Sequence, residues 1–145
     1  NSYDLNKENA IENLFVKIEK DYVLRYVEAC WKTSVEALKN IKYELKEDGN
    51  LKNSSKDSIK QALTLFNDSA ATHSKVQKQL KIIDGKLEKT LIEKNIEYVI
   101  PEYNSFLIKY KKFGNLDNIK GIVKYYDTKE LENDIKIFFS SSVFK

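Results

Sequence analysis

Between Ser58 and Asn95 the apolar residues recur in steps of four and three, a spacing that admits little besides a helix packed on another helix. Ile59, Leu63, Phe66, Ala70 and His73 alternate those steps, and Val76, Leu80, Ile83, Leu87 and Leu91 carry the seam onward. Residues three and four apart share a helix face, so such a seam buries one stripe against a neighbour. The step from His73 to Val76 is three where four is due, and the step from Leu87 to Leu91 is four where three is due. A strict heptad fails twice, which favours the spine of a compact bundle over an extended rod. Gly85 falls inside the expected helix, where glycine costs about 1 kcal/mol relative to alanine and marks a close crossing or a bend.

A partner for this helix is predicted upstream. From Glu8 the positions Ile11, Leu14, Phe15, Ile18, Tyr22, Leu24, Val27, Cys30, Val35, Leu38, Ile41 and Leu45 recur mostly at helical steps, with a bend expected near Trp31 to Ser34. The stop is Glu47-Asp48-Gly49-Asn50, where Gly49 supplies a left-handed residue and the polar stretch to Ser55 reverses the chain. Downstream, Ile100-Pro101 breaks the pattern, and proline suits the first turn of a new helix through Phe106, Leu107, Tyr110 and Phe113 to Gly114-Asn115. A short helix capped by Asp117 is expected next, with Ile119, Ile122, Val123 and Tyr126 on its apolar side. Asp127 followed by Glu130 is a capping signal for a last helix carrying Leu131, Ile135, Phe138 and Phe139 before Ser140-Ser141-Ser142. Ile135 to Phe139 also has the composition of a short strand, but no partner strand is evident, so helix is preferred. The expected fold is all-α: a single-domain bundle of about four to five helices over residues 8–145, built on two long antiparallel helices and preceded by a polar tether at 1–7.

Composition bounds what such a bundle can do. The chain has 145 residues, enough for one core, and its 41% apolar and 32% charged residues suit a globular domain. No run approaches the roughly 18 consecutive apolar residues of a membrane span. The start NSYDLNKENA lacks the basic and apolar regions of a signal peptide, and a chain that begins at Asn1 with no methionine reads as a mature or trimmed product. Cys30 is the one cysteine, so an internal disulfide is excluded, and its place beside Trp31 reads as burial of a small hydrophobe. Net charge is only +3 and Arg25 is the one arginine, which argues against a nucleic-acid binder.

Candidate chemistry is thin. His73, the one histidine, lies on the seam and reads as packing, since general-base work needs a positioned partner. Cys30 and His73 would approach each other if the first two helices pack antiparallel, but inside a hairpin core, where a thiol lacks access and an activating field. Glu8 with Glu12, and Glu44 with Asp48, lie four apart and read as solvated surface rather than a cation site. The four glycines, at 49, 85, 114 and 121, are isolated, so no phosphate loop is present. The expectation is a protein that is not an enzyme and takes no cofactor or metal.

Two surface groups point to binding. Lys109, Lys111 and Lys112, with Lys120 and Lys124 beyond the turn, are interleaved with Tyr103, Tyr110, Tyr125 and Tyr126, a combination that suits protein interfaces, acidic polysaccharides and, less well, single-stranded nucleic acid. The plainer reading is a solvated helix face with tyrosines half in the core. Arg25, Tyr26 and Trp31 form the second group, of residue types that dominate binding hot spots, although Trp31 also reads as core.

With 24 lysines against one arginine, 13 asparagines and the polar start NSYDLNKEN ahead of long paired helices, the chain resembles mature surface lipoproteins of Borrelia spirochaetes. That resemblance implies a lipidated cysteine ahead of a tether, attachment to a membrane only through a removed anchor or signal, and a host serum or matrix protein, such as a complement component, as partner. It implies an extracellular, surface-tethered binding bundle. The alternatives are an intracellular interaction module, such as an immunity or inhibitor protein, and the ligand-sensing domain of a membrane receptor.

Overall fold

The computed structural model describes residues 2–79, 85–113 and 121–139. Its helices are α1 (Ser2–Lys39), α2 (Asn53–Gln79), α3 (Gly85–Lys112) and α4 (Thr128–Phe138). The expected all-α, single-domain bundle is what the chain forms.

α1 meets no glycine or proline along its 38 residues and extends about 57 Å. Residues 2–7, expected to be a tether, lie within it. It runs unbroken through Trp31 to Ser34, where the Ser34 hydroxyl donates back to the Trp31 carbonyl at 3.0 Å. It ends at Lys39, ahead of the expected stop, because the chain turns into a small closed loop. Leu45 and Leu51 form an isolated antiparallel bridge, and the Lys46 N–H donates to the Asn50 carbonyl at 2.7 Å. Gly49 turns that loop with φ of 87°, the left-handed conformation expected of it. Ser55 ties the loop to α2: its hydroxyl donates to the Lys42 carbonyl at 2.6 Å and accepts from the Glu44 N–H at 2.9 Å.

The continuous helix expected from Ser58 to Asn95 is divided. α2 ends at Gln79 and α3 opens on Gly85, with residues 80–84 outside the described part. The seam thus belongs to two helices, and Gly85 is the first described residue of the second. Leu80 and Ile83 fall outside the described residues, and Val76 is 46% exposed. Pro101 also departs from expectation, lying inside α3 instead of opening a helix. Its ring faces solvent, and the missing N–H costs one backbone bond in a helix held by Leu91, Val99, Tyr103, Phe106 and Leu107 in the core.

Gly114, Asn115, Asp117, Ile119 and Ser140–Ser142 lie outside the described residues. Residues 121–127 form turns and extended chain, so the described half of the expected helix at 117–126 is not helical. Val123 and Tyr125 are nevertheless buried, inserted as single side chains. The last helix is as predicted: the Asp127 carboxylate caps it by accepting from the Glu130 N–H at 2.8 Å, while the Glu130 carboxylate accepts from the Tyr126 N–H at 3.0 Å.

α1 and α2 run antiparallel, since Tyr26 faces His73 and Gln77 whereas Trp31 faces Phe66. α3 runs parallel to α1, which pairs Trp31 with Asn95 and Lys39 with Glu102. Trp31 is at the centre: its ring lies 5.5 Å from Phe66, which stacks on Tyr103 at 4.9 Å. The indole Nε1 donates to the Asn95 Oδ1 at 2.7 Å, and the Asn95 amide donates to the Leu91 carbonyl at 2.6 Å, so a fully buried amide keeps its partners. α4 closes the bundle against α2 and α3 through Leu131, Ile135 and Phe138.

Candidate interaction surfaces

The core begins on α1 only at Val23; from there Val27, Trp31, Val35 and Leu38 recur on one buried face. From Lys7 to Tyr22 every described side chain of the helix is exposed, including Ile11, Leu14, Val16 and Ile18. Ile11, Ile18 and Tyr22 fall on one stripe, and that stripe lies across the helix from the core face at 100° per residue. Apolar positions expected to be core are thus a surface. Their spacing was legible in the sequence; that no other described element reaches them was not. At the end of this stretch an open groove of about 540 Å³ lies between α1 and α3, lined by Val23, Leu24, Val27, Lys94 and Tyr98 among others.

The predicted basic cluster comes together only in part. At the C-terminal end of α3, Phe113 stacks on Tyr43 with centroids 5.2 Å apart and planes at 11°. The Lys109 ammonium lies 5.6 Å from the Tyr43 centroid and that of Lys112 lies 5.9 Å from Phe113, so two cations sit over one aromatic pair. Lys111 is exposed, but two residues beyond Lys109 it points about 200° away around the helix. Lys120 lies outside the described residues. Lys124 is 5.2 Å from the Tyr125 centroid and 3.8 Å from the Asp134 carboxylate, which also accepts from the Tyr125 hydroxyl.

The tyrosines divide similarly. Tyr103 and Tyr125 are core residues, with the Tyr103 hydroxyl donating to the Tyr125 carbonyl at 2.7 Å; Tyr110 is half-buried and Tyr126 exposed. Burial raises the Tyr43 hydroxyl to about 12 and keeps it neutral. Arg25 belongs to neither set. It is exposed on α1 beside Ile18, Asp21, Tyr22 and Tyr26, about 21 Å along the helix from Lys39 and the lysine-rich end. Trp31 is fully buried, so the Arg25, Tyr26 and Trp31 group does not form one surface.

Cys30 and His73 lie in the same region, and the environment disarms both. Burial pushes the thiol up to about 11 and the imidazole down to about 4, leaving a neutral thiol and a weak base at neutral pH. No three His, Cys, Asp or Glu side chains converge to hold a metal ion among the described residues. Glu44 pairs with Lys52 at 3.7 Å, and Asp48 accepts from the Asn50 N–H at 3.0 Å, which lowers its pKa.

Comparison with known proteins gives the lineage of this helical bundle. The family model for the C-terminal region of Exo70, a subunit of the exocyst complex, matches residues 2–136. The chain belongs to that family. No curated protein and no solved structure matches it.

This membership overturns the resemblance to Borrelia surface lipoproteins and the surface, host-binding and complement readings drawn from it. The exocyst family is intracellular and acts in vesicle tethering at the plasma membrane, so the extracellular location is corrected as well. The resemblance rested on lysine and asparagine usage and on long paired helices, which report codon bias and helicity rather than descent. What holds is the coarser statement: the chain is a helical module of a family that works through protein partners within a complex.

Proposed function

We propose that this chain is an intracellular, non-catalytic docking module of an exocyst-type assembly, and that the exposed half of α1 receives a helix of a partner subunit. The observation that carries this reading is the run of exposed apolar side chains from Ile11 to Leu24 on a helix whose other half is core. An amphipathic helix laid along Ile11, Ile18 and Tyr22 would remove that surface from water, worth about 25 cal/mol per Å² of apolar area. Family membership supplies the class of partner, another member of the complex.

The lysine-rich end is the second proposed contact. Lys109 and Lys112 over the Tyr43–Phe113 pair suit an acidic partner surface, and Lys111, Tyr110, Lys124 and Arg25 are separate candidates for the rim of a contact. Reconstitution with purified exocyst subunits tests both. Leu14→Asp with Ile18→Asp should abolish capture of the partner while helicity stays unchanged, because both side chains are solvent-exposed. Charge reversal at Lys109 and Lys112 should slow association and flatten its salt dependence. Unchanged binding in the α1 variant would refute the proposed docking face.

A further inference from the structure

The docking role leaves His73 unused, yet it is a polar, titratable side chain enclosed in the core. It is 4% exposed on α2 and is ringed by four aromatic side chains from two other helices. Tyr26 and Trp31 of α1 lie 5.7 and 5.4 Å away between centroids, and Phe138 and Phe139 at the end of α4 lie 5.6 and 5.7 Å away. Phe139 is also 6.3 Å from Tyr26, so the end of α4 covers the imidazole and rests on α1.

The hydrogen bonds reach only one of the ring nitrogens. The Tyr26 hydroxyl donates to the Gln77 side-chain carbonyl, and its oxygen lies 3.3 Å from His73 Nε2. The other ring nitrogen, Nδ1, is buried without a partner, and only the protonated ring requires both nitrogens to donate. Protonation would place an N–H there with no acceptor, and a charge inside a box of rings. The facing groups offer no compensation: α1 contributes Tyr26, Trp31 and nearby Cys30, α2 contributes the neutral Gln77, and α4 contributes two phenyl rings. Burial holds Tyr26 and Cys30 neutral, and it is burial alone, with no charged partner, that depresses His73.

We infer that His73 and the Phe138–Phe139 pair form an acid-released clasp, which holds the end of α4 on the α1–α2 face while the imidazole is neutral and frees it when the ring gains a proton. The sign follows from linkage. A histidine whose folded pKa, about 4, lies below its ordinary 6.5 stabilises the closed form fully above pH 6.5, and loses that contribution as pH falls toward 4. By that relation closure is about thirtyfold weaker at pH 5 than at pH 7.5. Opening would bare Tyr26 and Phe139 beside the exposed Tyr22, extending the apolar stripe of α1.

The test is hydrogen exchange on the whole chain at pH 7.5, 6.5 and 5.0, with rates divided by their intrinsic values and Trp31 emission as a second readout. The α4 amides should lose about thirtyfold protection between the first and last pH, while the α1–α3 pairing around Asn95 keeps its own. His73→Phe should make α4 protection independent of pH, and His73→Gln serves the same purpose if the phenyl ring is not accommodated. A flat profile in the wild type, the same loss in both variants, or a simultaneous loss in all four helices would overturn the clasp.

Discussion

Asn95 is where the packing of α1 on α3 can be tested most sharply. Its side chain is fully buried, and its carbonyl oxygen accepts from the Trp31 indole at 2.7 Å. Asn95→Ala removes that acceptor and leaves Trp31 Nε1–H in the core without a partner, which costs about 1–3 kcal/mol. The vacated carboxamide adds a void costing about 1 kcal/mol, since a tightly packed core relaxes only in part. The bond to the Leu91 carbonyl adds little, because that carbonyl belongs to the helix ladder of α3. The expected loss is about 2–4 kcal/mol, a large fraction of the stability of a domain this size. Urea unfolding followed by circular dichroism at 222 nm, which does not depend on the indole, measures it. On a Trp31→Phe background the orphaned donor is already gone, so Asn95→Ala should cost less there by about 1–2 kcal/mol. A coupling within about 0.5 kcal/mol of zero would show that the pair does not hold the two helices in register.

Other substitutions probe separate links in the same fold. Phe66→Ala removes a ring stacked between Trp31 and Tyr103 and should cost about 3–5 kcal/mol in urea unfolding. Asp127→Ala deletes the acceptor of the Glu130 N–H and should weaken α4 by about 1 kcal/mol, seen as faster amide exchange in that helix. Gly49→Ala should destabilise by about 1 kcal/mol on thermal unfolding, although the space around it is open, because φ of 87° is strained for any residue with a side chain. With its thiol pushed up to about 11, Cys30 should react slowly with a disulfide reagent at pH 8 and faster as pH rises through 10.

The residues whose structure was legible in the sequence are those governed by local rules. Asp127 and Glu130 form the predicted cap because both partners lie within one turn, and Gly49 takes a left-handed conformation because the loop demands it. His73 and Trp31 are core, as their place on apolar stretches indicated. The misjudged elements are those where two local signals compete and tertiary contacts decide. Pro101 could open a helix or ride inside one, and the buried residues on both sides of it keep α3 continuous. The expected helix from Ser58 to Asn95 is divided because its two parts pack on α1 in opposite directions, with Gly85 the first described residue of α3. In the lysine cluster, spacing along the chain conveyed composition but not rotation, so Lys109 and Lys112 meet the same aromatic pair while Lys111 faces away.

α1 carries the more general point. Its two halves share one helical period, yet Val27, Trp31 and Val35 are sealed in the core while Ile11, Ile18 and Tyr22 meet solvent. Periodicity specifies that a face is apolar, not that the bundle lies on that side: Ile11, Ile18 and Tyr22 fall across the helix from the core face, and among the described residues no element covers them. Each of these apolar side chains is about half exposed and forgoes about 1 kcal/mol that full burial would provide. Several such residues in consecutive turns represent more stabilisation than most single contacts within the bundle. Under the docking proposed above, a partner helix laid along this stripe would recover that free energy, so the part of α1 that contributes least to its own fold would contribute most to assembly.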